Sequence, residues 1–196
     1  MDFLSHMSFV DVFNASVLIA FTICYAYQLF YVPVSLIKKP KKKKARRQHK
    51  YAAVIAARNE ETVIGDLIAS IRMQDYPAEL IDIFIIADNC TDNTANIARK
   101  AGAFVIERRG DSKHIGKGWA LDYGIGIIRR DYKDNGYEAY FVFDADNVLD
   151  AHYFSAMNDT FDSGAIASTS YRNSKNFSMN WISAGYGVWF LREAKF

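Results

Sequence analysis

Asp144 and Asp146 stand two residues apart where an apolar stretch, 137–143, gives way to polar sequence. Residues two apart on an extended strand project to the same side. Two carboxylates held close repel each other unless a cation lies between them. Carboxylate oxygens suit hard divalent ions, so the cofactor this pair implies is Mg²⁺ or Mn²⁺, an ion that can bridge to a diphosphate and stabilise it as a leaving group. The same spacing also serves as turn and helix-cap chemistry, and spacing alone leaves both readings open. Asp88 follows a second apolar run, 81–87. A carboxylate there can accept N–H bonds from a nucleobase or contact ribose hydroxyls, or it can simply cap a turn.

A third feature is His114-Ile115-Gly116-Lys117-Gly118, a cation between two glycines ahead of a helix. Backbone amides and the lysine could both meet a phosphate there. It is not a Walker A loop: five residues separate Gly110 from Gly116, and Gly118 rather than Ser or Thr follows the lysine. No G-x-G-x-x-G follows the first strand, which argues against a dinucleotide enzyme. The histidines show no metal-ligand spacing, and His6 and His49 are expected in solvent. Cys24 and Cys90 lie in unlike surroundings and read as two free thiols.

These residues need elements to hold them. The apolar runs at 51–57, 81–87, 103–107 and 137–143 read as strands, with a further strand near 165–171. Helical periodicity falls between them, at about 63–71, 94–101, 119–130 and 150–162, and residues 177–195 look helical without clear caps. Strands alternating with helices make an α/β fold with a mostly parallel sheet covered on both faces. Ligands of such sheets bind outside the carboxyl ends of the strands. That rim gathers Arg58 to Glu61, Asp88, and Asp144 with Asp146.

The rest of the chain carries a different signal. Hydrophobic residues make up 51% and charged ones 23%, enough apolar material for a packed core. Between Val12 and Ile37 there is no charged residue, a stretch longer than the roughly 20 residues a helix needs to cross a bilayer. Nine of the 24 Lys and Arg follow at once, between Lys38 and Lys50. Basic flanks stay in the cytoplasm, so the expected order is an outer N-terminus at 1–11, a transmembrane helix at 12–37, a polybasic linker at 38–50 and a cytoplasmic domain at 51–196. The net acidic balance of that domain speaks against nucleic-acid binding.

Singly the motifs are common, but their order is specific. Ala56-Ala57-Arg58-Asn59-Glu60-Glu61, then Asp88-Asn89-Cys90-Thr91-Asp92-Asn93-Thr94, then Gly116-Lys117-Gly118-Trp119-Ala120-Leu121, then Phe143-Asp144-Ala145-Asp146-Asn147 resembles glycosyltransferase family 2, in its membrane-bound processive or exopolysaccharide-type branch. The resemblance covers about 51–175. It implies a GT-A fold, Rossmann-like, that binds a nucleotide sugar, usually a UDP-sugar. It also implies metal-assisted, inverting transfer of the sugar to a glycan or lipid acceptor in polysaccharide synthesis. Carried over by position, Ala57, Arg58 and Glu61 would line the nucleotide pocket and Asp88 would contact the base. Lys117 would lie near the diphosphate, Asp144 by the sugar or ribose, and Asp146, with Asp144, at the metal. There are departures. Ala56 and Arg58 stand where the family often has Pro and Tyr, and Asp122 where an asparagine is frequent. The family's catalytic base belongs to a later motif not found here, so the sequence is expected to bind the donor without necessarily turning it over. The alternative expectation is a catalytically incomplete, membrane-anchored nucleotide-sugar-binding fragment or assembly partner.

Overall fold

The computed structural model describes residues 8–37, 44–110, 114, 116–170, 172 and 179–193. The chain divides into two compact units, one from Lys42 to Ser168 and one made of Met1–Lys41 with Thr169–Phe196.

In the first unit, four parallel strands form one sheet in the order β3-β2-β1-β4. They are β1 Tyr51–Ala57, β2 Ile81–Asp88, β3 Phe104–Arg108 and β4 Ala139–Asp144. Strand β1 is central because its short apolar side chains bury on both faces, and Tyr51 to Ile55 are fully buried. Alternate residues face alternate layers. Tyr51, Ala53, Ile55, Ile83 and Ile85 pack with α2 (Ile64–Arg72), α3 (Thr94–Lys100) and α5 (Tyr153–Asp162). Ala52, Val54, Phe84 and Ile86 pack with Ala120 and Ile128 of α4 (Lys117–Asp131). Each fully buried isoleucine, leucine or phenylalanine contributes roughly 1.5–3 kcal/mol. Gly124 lets α4 lie close to the sheet, since a Cβ there would meet Ile86 Cγ1 at 2.3 Å.

The strand order has a direct consequence. From β1 the chain steps outward through α2 to β2 and through α3 to β3, on one face. It then returns by α4 on the other face to β4, on the far side of β1. The direction of winding therefore switches between β1 and β4, the place where open α/β sheets bind ligands.

At the opposite, amino-terminal rim the chain before β1 is tied down. Ala45 N–H donates to Asp159 Oδ1 at 2.8 Å and Arg46 N–H to Asp162 Oδ2 at 2.9 Å. Asn158 Nδ2–H reaches the Arg47 carbonyl at 2.8 Å. His49 was expected in solvent, but it is buried, with Nδ1 2.9 Å from Glu138 and Nε2 3.0 Å from Asp162. The sequence places it beside a lysine run, while the fold places it between two carboxylates that sit far away along the chain.

The strand expected near 165–171 is not found: residues 165–170 carry no strand, and residue 171 lies outside the described residues. Gly164 at φ 101° ends α5 in a left-handed turn, and Ile166 is fully exposed, with no sheet neighbour to shield it.

In the second unit, α1 spans Phe9–Ile37 and continues past Pro33. Over Phe9–Tyr27 its mean hydropathy is 1.8, and it is long and apolar enough to cross a membrane. Phe9, Leu18, Ile23 and Leu29 are exposed on it. Two of its hydroxyls bond inside the helix, Ser16 Oγ–H to the Val12 carbonyl and Thr22 Oγ1–H to the Leu18 carbonyl, both at 2.8 Å. Such closure suits a hydrocarbon surrounding. Helix α6, Trp181–Glu193, does have a cap: the Ser183 amide donates to Asn180 Oδ1 at 2.9 Å.

Candidate functional site

Because the strands are parallel, their carboxyl ends share one rim, and each strand delivers a distinct group to it. Strand β1 ends at Ala57, β2 at Asp88, β3 at Arg108 and β4 at Asp144. Register sets the neighbours: Asp88 faces Arg108, and Asp144 faces Ala56.

Asp88 and Arg108 form the buried part of the site. Arg108 donates from Nη1 to Asp88 Oδ1 at 2.5 Å, and both side chains are more than nine-tenths buried. Asn89 Nδ2–H adds a second bond to the same oxygen at 2.9 Å. The other arm of the guanidinium, Nη2, donates to the His114 carbonyl at 2.5 Å. The Arg108 guanidinium also lies over the Tyr123 ring, 5.9 Å from its centre. Gly110 fits against it, where a Cβ would come within 2.9 Å of the guanidinium nitrogens. A charge buried this deeply is tolerated only when paired, and the bond from Arg108 fixes the direction of the Asp88 carboxylate. The strand expected at 103–107 stops one residue short of Arg108, which ends β3. Spacing carried no signal for the pair: it is the sheet register that sets the last residue of β3 beside the last residue of β2.

The loops after β1 and β2 are laced together. Asn59 and Asn89 each adopt left-handed backbone, at φ 57° and 52°, a conformation asparagine enters more readily than most residues. The Thr91 amide donates to Asn59 Oδ1 at 2.8 Å, and the Glu60 amide to Thr94 Oγ1 at 2.9 Å. Glu61 takes part in this lacing: its carboxylate accepts the Asn93 amide at 2.9 Å, and its own amide donates to Asp92 Oδ2 at 3.1 Å. Desolvation would raise the Asp92 carboxyl, yet bonds from the Thr94 hydroxyl and the Thr94 and Glu61 amides hold it below its ordinary value. Glu61 thus braces two loops at the rim. Ala57 is buried, and its carbonyl accepts the Cys90 thiol at 3.4 Å, while Arg58 is exposed.

The open part of the site lies at the winding switch. Gly116, at φ 127°, precedes α4 in a backbone state that side chains disfavour. Lys117, the first residue of α4, pairs through Nζ with Asp144 Oδ1, and both side chains are about half exposed. Beyond Asp144 the chain does not stay extended, the condition under which Asp144 and Asp146 would project together. A turn follows, closed by the Asn147 amide on the Asp144 carbonyl at 3.1 Å, with Asp146 exposed on it. His114 lies beside this region, its ring edge-on to Trp119 at 4.6 Å.

Residues 48–194 match the sequence profile of the glycosyltransferase-like family 2. The chain belongs to that family. It is similar to the 4,4'-diaponeurosporenoate glycosyltransferase of Staphylococcus aureus, at 40% identity over 74 residues, which are 37% of this chain and 19% of that protein. Among solved structures it resembles the mannosyltransferase PcManGT of Pyrobaculum calidifontis, in complex with GDP-Man and Mn²⁺, with a TM-score of 0.57 and 18% identity over 76% of this chain and 43% of that one. It also resembles TarS of Staphylococcus aureus, with a TM-score of 0.50 and 18% identity over 64% and 39%. At these identities the structural likeness establishes the fold, a GT-A-type sheet. The chain spans about a fifth of the length of the curated relatives it matches, 19%.

The Asp144 carboxylate already holds one cation, the Lys117 ammonium. Among the described residues, no group of three or more His, Cys, Asp and Glu is placed to hold a metal. A divalent ion at Asp144 would therefore draw most of its ligands from a bound diphosphate or water, as Mg²⁺-type ions commonly do.

Proposed function

We propose that this chain is the donor-binding part of a membrane-anchored glycosyltransferase. It takes a sugar from a nucleotide sugar, a UDP-sugar by family resemblance, for transfer to a glycan or lipid acceptor in polysaccharide synthesis. The observation that carries this reading is the pairing of two charge arrangements on one rim. The buried Asp88–Arg108 pair offers a fixed acceptor for a base N–H. The exposed Lys117 and Asp144 offer cation and carboxylate at the winding switch.

On this reading the nucleotide lies across the rim. Asp88 orients the base, and Ala57 and Arg58 border the pocket. Glu61 keeps the two loops in place. Lys117 and the amide end of α4 meet the diphosphate, Asp144 lies by the ribose or sugar, and Asp146 with Asp144 holds Mg²⁺ or Mn²⁺. The ion, when bound, neutralises the departing diphosphate. Transfer is inverting: a carboxylate base takes the acceptor hydroxyl proton, and that oxygen attacks the anomeric carbon as the diphosphate leaves. None of the residues described is assigned as that base. Helix α1 spans the membrane with its N-terminus outside, and the basic residues after it keep the catalytic unit on the cytoplasmic side.

Calorimetric titration of the full chain in detergent with UDP, with Mn²⁺ and then with chelator, tests the reading. Binding that needs Mn²⁺ is expected. Asp146→Asn is expected to weaken the Mn²⁺-dependent part at least about tenfold. Equal affinity and metal dependence in that variant would remove Asp146 from the metal site. No UDP binding by folded protein would remove the donor site itself.

A further inference from the structure

Lys117 has a role in the donor-free protein that follows from where it stands. Its Nζ is on Asp144 Oδ1, the carboxylate nearest the winding switch and one of the two offered to a metal. The lysine is the first residue of α4, and Gly116 before it takes a backbone state that orients the chain into the helix. The ammonium is thus delivered to Asp144 by a rigid element. An ammonium and a divalent ion cannot share one carboxylate without strong mutual repulsion. With donor absent, a metal on Asp144 would stand beside the Lys117 ammonium held on Oδ1 and would meet its repulsion. With donor present, the diphosphate gives the ammonium another partner with more negative charge than one carboxylate. The pair is about half exposed, so it is weak enough to exchange.

We propose that Lys117 is an internal counter-ion that makes metal capture at Asp144 conditional on the donor diphosphate. In the empty site it holds Asp144; when donor binds, it passes to the diphosphate and releases Asp144 to the cation. Lys117 is then the positioning residue that couples the two ligands and disfavours loading of the metal alone. The proposal rests on the donor-site reading above, and its test separates the two.

Mn²⁺ binding is read by the electron paramagnetic resonance of free Mn²⁺, on the full chain in detergent, with and without UDP. Native protein, Lys117→Met and Lys117→Arg are compared, each checked by its melting curve. The native chain is expected to bind Mn²⁺ about tenfold more tightly with UDP than without, within the usual range of coupling between two ligands. Lys117→Met should bind Mn²⁺ alone about tenfold more tightly than the native chain, bind UDP more weakly, and lose most of the coupling. Lys117→Arg should restore the coupling. If Lys117→Met leaves the Mn²⁺ affinity without UDP unchanged or lowers it, while the native chain still binds Mn²⁺ with UDP, the counter-ion role is overturned and the donor site stands. If the native chain binds no Mn²⁺ even with UDP, the metal reading and the counter-ion role fall together.

Discussion

At the amino ends of the strands the polar groups close on one another in the interior, while at the carboxyl ends several of them stand exposed. The amino rim is a closed circuit. His49 lies between Glu138 and Asp162, Tyr51 and Tyr76 donate to Asn158 at 2.7 and 2.8 Å, and Asn158 in turn holds the Arg47 carbonyl. Its donors and acceptors come from β1, α5 and the loops before β1, β2 and β4, so it fastens the chain arriving at the sheet. The carboxyl rim is open. Arg58 and Asp146 are exposed, Lys117 and Asp144 are half exposed, and two asparagines hold left-handed backbone. Strain and exposure of this kind gather where a site is kept ready for a partner. The two rims share the same strands, so the difference separates groups that hold the fold from groups that the proposed donor site would use.

The largest expected effect blurs that division. Arg108 belongs to the carboxyl rim but is buried, so Arg108→Met should behave as a fold mutant and a binding mutant together. It leaves the Asp88 carboxylate buried without its counter-charge, which costs about 3–5 kcal/mol. Urea unfolding should show that loss, and UDP titration should show binding lost in parallel. A variant as stable as the native chain would mean that water or another group satisfies Asp88. The next effect sharpens the comparison. His49→Gln cannot reach both carboxylates at once and should cost about 1–3 kcal/mol, with UDP affinity unchanged in the protein that remains folded. A fall in UDP affinity without a fall in stability would show the two rims to be coupled.

How much of this was readable in advance follows the same line. The four strands and the helices between them were legible from local apolar runs, because β1 and β2 are buried on both faces and must be apolar throughout. Asp88 and Asp144 were legible as strand-ending carboxylates, and the family to which they belong follows from motif order. Two things were not legible. Arg108 pairs with a residue twenty positions earlier, and His49 with residues 89 and 113 positions later. Both pairings depend on register and layer packing, which residue spacing does not encode. Glu61 is an intermediate case: its motif marked it for the pocket, while its bond to the Asn93 amide shows it holding loop to loop.

The smallest effect concerns acid. Hydrogen bonding from Arg47 holds the Glu138 carboxyl below its ordinary value of 4.5, and His49 adds to this. The Arg46 amide, and then His49, hold Asp162 below 3.8. A carboxylate whose folded value is depressed binds fewer protons when folded than when unfolded. Its contribution is therefore fully present above the unfolded value and is lost as pH falls through the folded one. The amino rim should accordingly weaken between about pH 5 and pH 2, and the urea midpoint should fall across that window. Glu138→Gln should flatten part of this slope, because it removes one of the titrating groups, while lowering the midpoint at neutral pH. Asp146→Asn, at the open rim, should leave the slope as it is. If the slope is unchanged in Glu138→Gln, the acid sensitivity originates elsewhere, and the laced loops around Asp92, also held below its ordinary value by hydrogen bonds, become the place to look.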